Sequence, residues 1–469
     1  MRSSDTASAE TTQMSVSTVT SAIRLKLRTP ARQRNLELFL LILAGAISMG
    51  ALVLVQLGAL EEIQTPILWL SGGLFVLALV MHVVLRVVAA QADPLILPVA
   101  FLLNGIGIAG IYRVDIEKNL SGWDSAGVRQ IAWTAIAMIL AGLVVLIIRN
   151  HRVLARYRYI FMFTGIALLL MPMLPGIGHR EFGAQLWIKV GGFTFQPGEL
   201  AKIALAIFFA GYLVESRDSL SLVGKKFLWM QFPRVRDLGP ILVIWAASMA
   251  VLIFQRDLGT SLLYFGLFLV MIYVSTGRAS WVVLGLSLFA AGAVVASQTL
   301  GYVQGRFKGW LDPFNPEVYD AVGGSGQLVQ GLFGIANGGL VGTGWGQGRP
   351  NLVPLAQSDY IVTTLTEELG LAGLFAILAL YLILVSRGFR IAFAGSDDFG
   401  RLLGVGLAFV IALQVFIVIG GVTRVIPLTG LTTPFLAAGG SSLMANWIIV
   451  ALLLRVSDTI RTEPKVVLT

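Results

Sequence analysis

Asp312, Glu317 and Asp320 stand close to Arg306 and Lys308 in a polar, glycine-rich stretch, residues 300–358, of an otherwise apolar chain. A carboxylate beside cations suits glycosyl or acyl transfer: it offers a base for an acceptor hydroxyl and positive charge for a departing phosphate. The competing reading is a solvated loop. Connections of this length are uncommon and are usually functional or disordered. Trp310, Phe314, Tyr319, Phe333 and Trp345 argue against disorder. The glycine-rich run 323–348 is no P-loop, because no Gly-Lys-Ser/Thr follows it. Tight packing of re-entrant helical pieces is preferred over phosphate cradling.

Four further constellations accompany the loop. Gln196-Pro197-Gly198-Glu199 opens an apolar stretch, and Lys202 follows three residues after Glu199 on the same helix face. An ionisable group in a span is costly and by default suggests function, although a local Glu–Lys pair would also account for it. Asp359 reads as a helix cap, with Glu367-Glu368 about two turns further on. Those adjacent carboxylates imply either a proton path or a partner cation. Arg256-Asp257-Leu258-Gly259-Thr260 reads as a charged hairpin. Residues 424–442, beginning at Arg424, contain two prolines and many small residues and read as a broken helix, tolerated at membrane depth only when buried or lining a cavity.

These groups must be positioned by membrane helices. The chain is 56% hydrophobic and 13% charged, which fits a polytopic membrane protein and no soluble core. It has no cysteine, so thiol chemistry and disulfides are excluded. Its three scattered histidines make a zinc site improbable. The net charge of +9 is ascribed to asymmetry across a membrane, with no nucleic acid as partner. Apolar stretches near 20 residues are candidate spans. Twelve are read, at 36–57, 66–88, 94–112, 130–148, 158–174, 199–215, 240–255, 260–276, 281–299, 360–386, 401–420 and 434–454.

With the amino terminus inside, 23 Lys/Arg fall on inner segments and 10 on outer loops, as the positive-inside rule demands. Residues 1–35 are then a disordered cytoplasmic tail, 456–469 a cytoplasmic tail, and 300–358 an extracytoplasmic loop. A loop there has no access to ATP or nucleotide sugars. A bond-forming reaction would need a substrate that arrives activated, such as a lipid-linked one.

Several motifs now add up. Gly183-Ala184-Gln185-Leu186-Trp187 with Gln196-Pro197-Gly198-Glu199, Gln255-Arg256-Asp257-Leu258-Gly259-Thr260, Trp310-Leu311-Asp312-Pro313, Ser358-Asp359-Tyr360-Ile361 with Glu367-Glu368-Leu369-Gly370, and the stretch from Pro427 to Ser442 occur in this order. Together they resemble the SEDS family, which includes RodA, FtsW and SpoVE, over residues 94–455. The opening from Arg34 to Leu38 and the extra helices look more like the actinobacterial RodA branch than FtsW. The resemblance implies an all-α polytopic membrane protein with a ten-helix core, here preceded by two additional helices within 36–89. It implies a peptidoglycan glycosyltransferase that polymerises lipid II on the outer face of the cytoplasmic membrane. Its partner would be a class B penicillin-binding protein within the elongation or division machinery.

The family's catalytic Asp sits in a D-P-x-G-x-G-Y-Q context. Asp320 keeps the spacing to Gln327 and the glycine at +3, but lacks the Pro and the Tyr; Asp312 is the competitor. The arginine usual before Trp187 is absent. The resemblance thus makes Asp320 the base, with Lys202 beside it. Glu199, Arg306, Lys308, Gln327, Asp359 and Arg424 would contact substrate. No carboxylate cluster forms a metal cage. A divalent cation, Mg or Mn, if used, would be held with the substrate pyrophosphate.

Overall fold

The structure is a computed structural model that describes residues 30–181, 184–190, 193–221, 226–227, 230–231, 246–247, 249–250, 253–321 and 324–462. Its long helices are α1 Pro30–Leu60, α2 Thr65–Val88, α3 Ile96–Glu117, α4 Ala126–Ile147, α5 Arg158–Leu170, α6 Pro197–Ser221, α7 Leu258–Thr276, α8 Ala279–Thr299, α9 Gly301–Leu311, α10 Gly326–Gly338, α11 Ile361–Ala394, α12 Asp398–Val422 and α13 Gly440–Thr462. Ten of these, all but α5, α9 and α10, are long and apolar enough to cross a membrane. The expected span at 158–174 is the shorter α5, and that at 240–255 falls largely outside the described residues.

Sequence chemistry sets the helix starts. Pro197 and Glu199 open α6. Asp257 caps α7 by accepting from the Thr260 amide at 3.0 Å. Ser125 and Asp397 cap α4 and α12 in the same way. The interior of the bundle is α3, α6, α12 and α13, whose residues are mostly buried, whereas α1, α2 and α8 keep apolar faces outward. Lipid is as apolar as a leucine face, so helices here associate through close packing of small residues. Gly388 and Gly404 serve that purpose between α11 and α12: a Cβ on either would come within 2.7 and 3.0 Å of the Cβ of Ala408 and Ala392.

Three expectations need correction, and one addition is needed. Helix α1 begins at Pro30, so the amino-terminal tail is shorter than 1–35, and residues 1–29 lie outside the described residues. Helix α13 runs to Thr462 and takes up part of the expected carboxyl-terminal tail at 456–469. The expected all-α fold holds, with a small antiparallel sheet added to it, β1 Gly178–Glu181, β2 Ala184–Val190 and β3 Phe193–Phe195. The signal was present: Gly191-Gly192 separates two short runs rich in aromatic and β-branched residues, a hairpin pattern. Finally, α3 extends past the expected end of its span and takes in Arg113, which was assigned to a loop and is buried.

The 300–358 stretch is not a bare loop. It holds α9, a single turn at Pro316–Tyr319, and α10, so the re-entrant packing reading is the correct one for its glycine-rich half. That half repairs a broken helix. In α11, Gly370 has φ 71° and ψ −177°, which interrupts the helix. The carbonyls of Glu367 and Glu368 accept from the amides of Thr343 and Gly344, each at 3.0 Å. The amides of Leu371 and Ala372 donate to Gly339 and Leu340 at 2.9 and 3.0 Å. Two carbonyls and two amides at the break thus find partners in the 339–344 segment, as an apolar surrounding requires.

The stretch before α13 is irregular and buried, with Phe435, Leu436 and Ala437 nearly inaccessible. Gln130 satisfies its backbone from α4, donating to Ala437 O at 3.0 Å and accepting from Gly439 N at 3.2 Å. This matches the expected broken helix, with the regular part starting at Gly440.

Candidate functional site

The loop face, the end of the bundle that carries residues 300–358, gathers charge at the starts of α6 and α7. Lys202 Nζ donates to Glu199 Oε2 at 2.6 Å and to Gln414 Oε1 at 3.0 Å, and all three side chains are buried. Gln414 donates in turn to the Thr432 carbonyl at 2.8 Å. Lys202 therefore ties α6 to α12 and to the irregular segment before α13. The Tyr264 hydroxyl of α7 donates to Gly198 O at 2.7 Å and joins α7 to the same helix start.

Asp257 stands beside this pair. Burial pushes its carboxyl up, the nearby Glu199 carboxylate pushes the same way, and hydrogen bonds from Thr260 oppose both. Gly259 lets the 429–431 segment close over it, since a Cβ there would come within 2.6 Å of Leu431 and 3.0 Å of Thr429. Gly430, at φ +80°, a conformation that favours glycine, faces Asp359, whose Oδ2 would lie in ordinary contact, 3.8 Å, with a Cβ there. Burial raises the Asp359 carboxyl to about 6. The Arg306 guanidinium opposes that rise and the Asp257 charge adds to it. Three carboxylates, Glu199, Asp257 and Asp359, thus meet two cations, Lys202 and Arg306, within electrostatic reach.

The nominated residues fare unequally. Glu199 and Lys202 share a face as expected. Arg306 and Asp359 are brought together. Asp359 is not a cap: α11 starts after Tyr360, with no side-chain cap. Lys202 is not placed against Asp320, because its ammonium is engaged by Glu199 and Gln414. Asp320 and Asp312 are both exposed, each at the carboxyl end of a helical turn, Pro316–Tyr319 and α9 respectively. The Asp320 segment folds back on α9: Ser325 Oγ donates to Pro313 O at 2.7 Å and the Ser325 amide to Val318 O at 3.0 Å.

Gln327 is half-buried in the first turn of α10, and Lys308 is exposed on α9. Arg424 braces the end of α9, donating to Trp310 O and Leu311 O at 2.8 and 2.9 Å. Its guanidinium is committed to backbone, which makes it a support for α9 before anything else. Sequence reasoning missed Asp257 as a site residue, although the Asp-x-x-Thr capping pattern marked it. It also missed Gln414, which nothing local distinguishes.

Glu367 and Glu368 are structural. Glu368 accepts from Arg113 Nε at 2.9 Å and from the amides of Gly346 and Gly348 at 3.1 and 3.3 Å, and Glu367 accepts from Asn337 at 3.0 Å. Arg113 is the partner cation that the sequence left open. Among the described residues no group of three His, Cys, Asp or Glu is arranged to hold a metal.

Comparison with known proteins follows the same lines. Residues 93–462 match the FtsW/RodA/SpoVE family model, described as "Cell cycle protein". The chain is 46% identical over 443 residues to the peptidoglycan glycosyltransferase RodA of Mycobacterium tuberculosis, covering 92% of this chain and 93% of that one. It is 37% identical to the stage V sporulation protein E of Bacillus subtilis, covering 62% of this chain and 76% of that one. Among solved structures, a chain from a study of the coordination of polymerization and crosslinking by a peptidoglycan synthase complex superposes with TM-score 0.61 at 25% identity, over 78% of this chain and 98% of that one. The Thermus thermophilus rod shape determining protein RodA gives TM-score 0.56 at 23% identity, over 79% and 98%. This multi-pass membrane chain belongs to the FtsW/RodA/SpoVE family of cell cycle proteins.

Proposed function

We propose that this protein is a peptidoglycan glycosyltransferase of the RodA kind, which joins lipid II units into glycan strands at its loop face. The observation that carries the reading is the cluster of Glu199, Asp257 and Asp359 with Lys202 and Arg306, in a chain 46% identical to a RodA of that name over most of its length. The 4-hydroxyl of the acceptor's N-acetylglucosamine attacks the anomeric carbon of the donor's N-acetylmuramic acid. Polyprenyl pyrophosphate leaves, and the configuration inverts. Asp320 takes the hydroxyl proton, a contribution of about 10²–10⁴-fold. Its exposure leaves it open to a bound sugar. Arg306 and Lys308, both on α9, meet the developing pyrophosphate charge. Lys202 holds the floor of the site through Glu199 and Gln414. A divalent cation would enter with the pyrophosphate, because the described carboxylates do not form a cage for one.

The loop face is taken to be extracytoplasmic in the cytoplasmic membrane, with both termini inside, on the strength of the basic-residue bias. The partner is taken to be a class B penicillin-binding protein, which would cross-link the product, within the elongation machinery. A flippase for lipid II is the rival. It is disfavoured by the break at Gly370, where the Glu367 and Glu368 carbonyls that could bind a transported ion are taken by the Thr343 and Gly344 amides.

Two experiments test the reading. Purified protein with lipid II in detergent should make polymer, and Asp320→Ala should not; transport cannot be scored there, so wild-type protein without polymer sinks the enzyme reading. Single cysteines at Glu317 and Asn351 should react with an impermeant thiol reagent in wall-permeabilised cells, and one at Arg152 should not. All three positions are exposed in the fold, so the reverse pattern would invert the topology.

A further inference from the structure

Helices α1 and α2 lie outside residues 93–462, yet the turn between them reaches the loop face and touches the glycine-rich segment 342–348. Gln347 Nε2 donates to Gly58 O at 2.6 Å. The two backbones meet without side chains between them. A Cβ on Gly58 would overlap the Trp345 carbonyl oxygen, and a Cβ on Gly346 would lie 2.6 Å from the Ala59 amide nitrogen. Gly346 also has φ +82°, which a side chain would strain.

The turn itself is stiff. Gln56 donates to Gln64 O at 3.2 Å and accepts from Gln64 N at 2.9 Å, closing it, and Tyr112 of α3 donates to Gln64 Oε1 at 3.3 Å. On its other side the 342–348 segment is bound to the core, through the Glu368 carboxylate, Arg113 to Gly348 O at 2.7 Å, and the carbonyls freed at Gly370. Helix α10 runs directly into this segment, and Gly331 and Gly338 pack it with no spare room against Tyr360 and Glu367. Gln327 stands in the first turn of α10, and Asp320 lies six residues before its start at Gly326. The packing at Gly331 and Gly338 and the bonds from 339–344 to α11 link the position of residue 346 to that of α10 and Gln327.

We propose that the α1–α2 turn is a positioning element for the active loop, with Gly58 and Gln347 as positioning residues for the polymerisation proposed above. The extension is thus part of the machinery that sets the loop, and is more than an anchor in the membrane. The inference rests on the glycosyltransferase reading for its activity arm only.

The test uses the full chain, purified, with lipid II. Gly58→Val should lower kcat about 10-fold or more while KM changes little, because displacement of a remote support by about 1 Å can cost up to about 10²-fold in rate. Amides of residues 343–348 should exchange faster with solvent deuterium in that variant, while those of α6, α12 and α13 stay protected. Gln347→Ala, which removes one hydrogen bond and adds no bulk, should lower kcat by a smaller factor, with the same local exchange signature. Gly73→Val, on α2 where a Cβ meets nothing within 4 Å, should match wild type. Normal kcat in Gly58→Val overturns the proposal. So does loss of protection across α6, α12 and α13 in Gly58→Val together with normal kcat and local exchange in Gln347→Ala. If wild-type protein makes no polymer, the glycosyltransferase reading has failed, and the exchange at 343–348 alone decides whether the turn holds the loop.

Discussion

Two networks of buried charge sit at opposite ends of this bundle, and they are built differently. At the end that holds Pro30 and Thr462, Asp93 accepts from both Arg387 and Arg461 and from the Leu95 amide, and is fully buried. Glu37 accepts from Arg34 at 2.6 Å and pairs with His82 at 2.7 Å, and Arg34 also donates to Ala92 O. Arg455 donates to carbonyls of α2 and α4. These charges join the α1–α2 extension to the core, and each has an opposite charge or a backbone dipole. At the loop face three carboxylates, Glu199, Asp257 and Asp359, share two cations, Lys202 and Arg306. An ion network that satisfies itself holds a fold together. One whose carboxylates outnumber their cations is under electrostatic tension, the kind of arrangement that clusters at functional sites.

The largest effect on stability is expected at the self-satisfied end. Asp93→Asn removes the carboxylate that Arg387 and Arg461 share. Removing one partner from a buried pair costs about 3–5 kcal/mol, so the unfolding midpoint in detergent should fall sharply while glycan synthesis per folded molecule is unchanged. Loss of turnover in folded Asp93→Asn protein would erase the distinction between the two ends.

Lys202→Met comes next. It strands Glu199 and should lower both stability and activity, activity by up to about 10²-fold, the scale of a displaced support. Adding Glu199→Gln removes the stranded charge. The double variant should recover much of its midpoint and none of its turnover. Recovery of both would reduce the pair to a structural clip.

The smallest effect concerns pH. Asp359 titrates near 6 in the fold, against an ordinary value of 3.8. The folded state holds that proton to higher pH than the unfolded state does. Stability therefore declines as pH rises from about 4 to about 6, and the penalty is complete above that. Asp359→Asn should raise the unfolding midpoint above pH 6, by about 2–4 °C at most for a partly exposed group, and leave it unchanged below about pH 4. A gain of equal size at both ends of the range would mean that the carboxyl is not perturbed.

Much of the frame was legible in the sequence because hydropathy and charge bias act on whole segments. The ten long helices, the broken stretch before Gly440 and the pairing of Glu199 with Lys202 all follow from patterns within one turn or one span. What escaped depends on contacts distant in sequence. Gln414 meets Lys202 across 212 positions, and Arg113 meets Glu368 across 255. No local pattern marks either. Asp359 looked like a cap because Asp before a helix usually is one. The helix begins one residue later than a cap at 359 would require, which leaves that carboxyl facing Gly430 and the charge of Arg306. Glu368 looked like a candidate for proton traffic because two carboxylates at membrane depth demand a reason. The reason is the glycine-rich segment, whose amides it collects.

The most direct test is a side-by-side comparison of Asp320→Asn and Asp93→Asn, with glycan synthesis from lipid II and unfolding midpoint measured on the same purified preparations. Asp320→Asn should keep the wild-type midpoint and lose about 10²-fold or more of its turnover, and Asp93→Asn should do the reverse. An active Asp320→Asn beside a dead, well-folded Asp312→Asn would move the base to Asp312. An active Asp320→Asn with Asp312→Asn also active would contradict the placement of the chemistry on this loop.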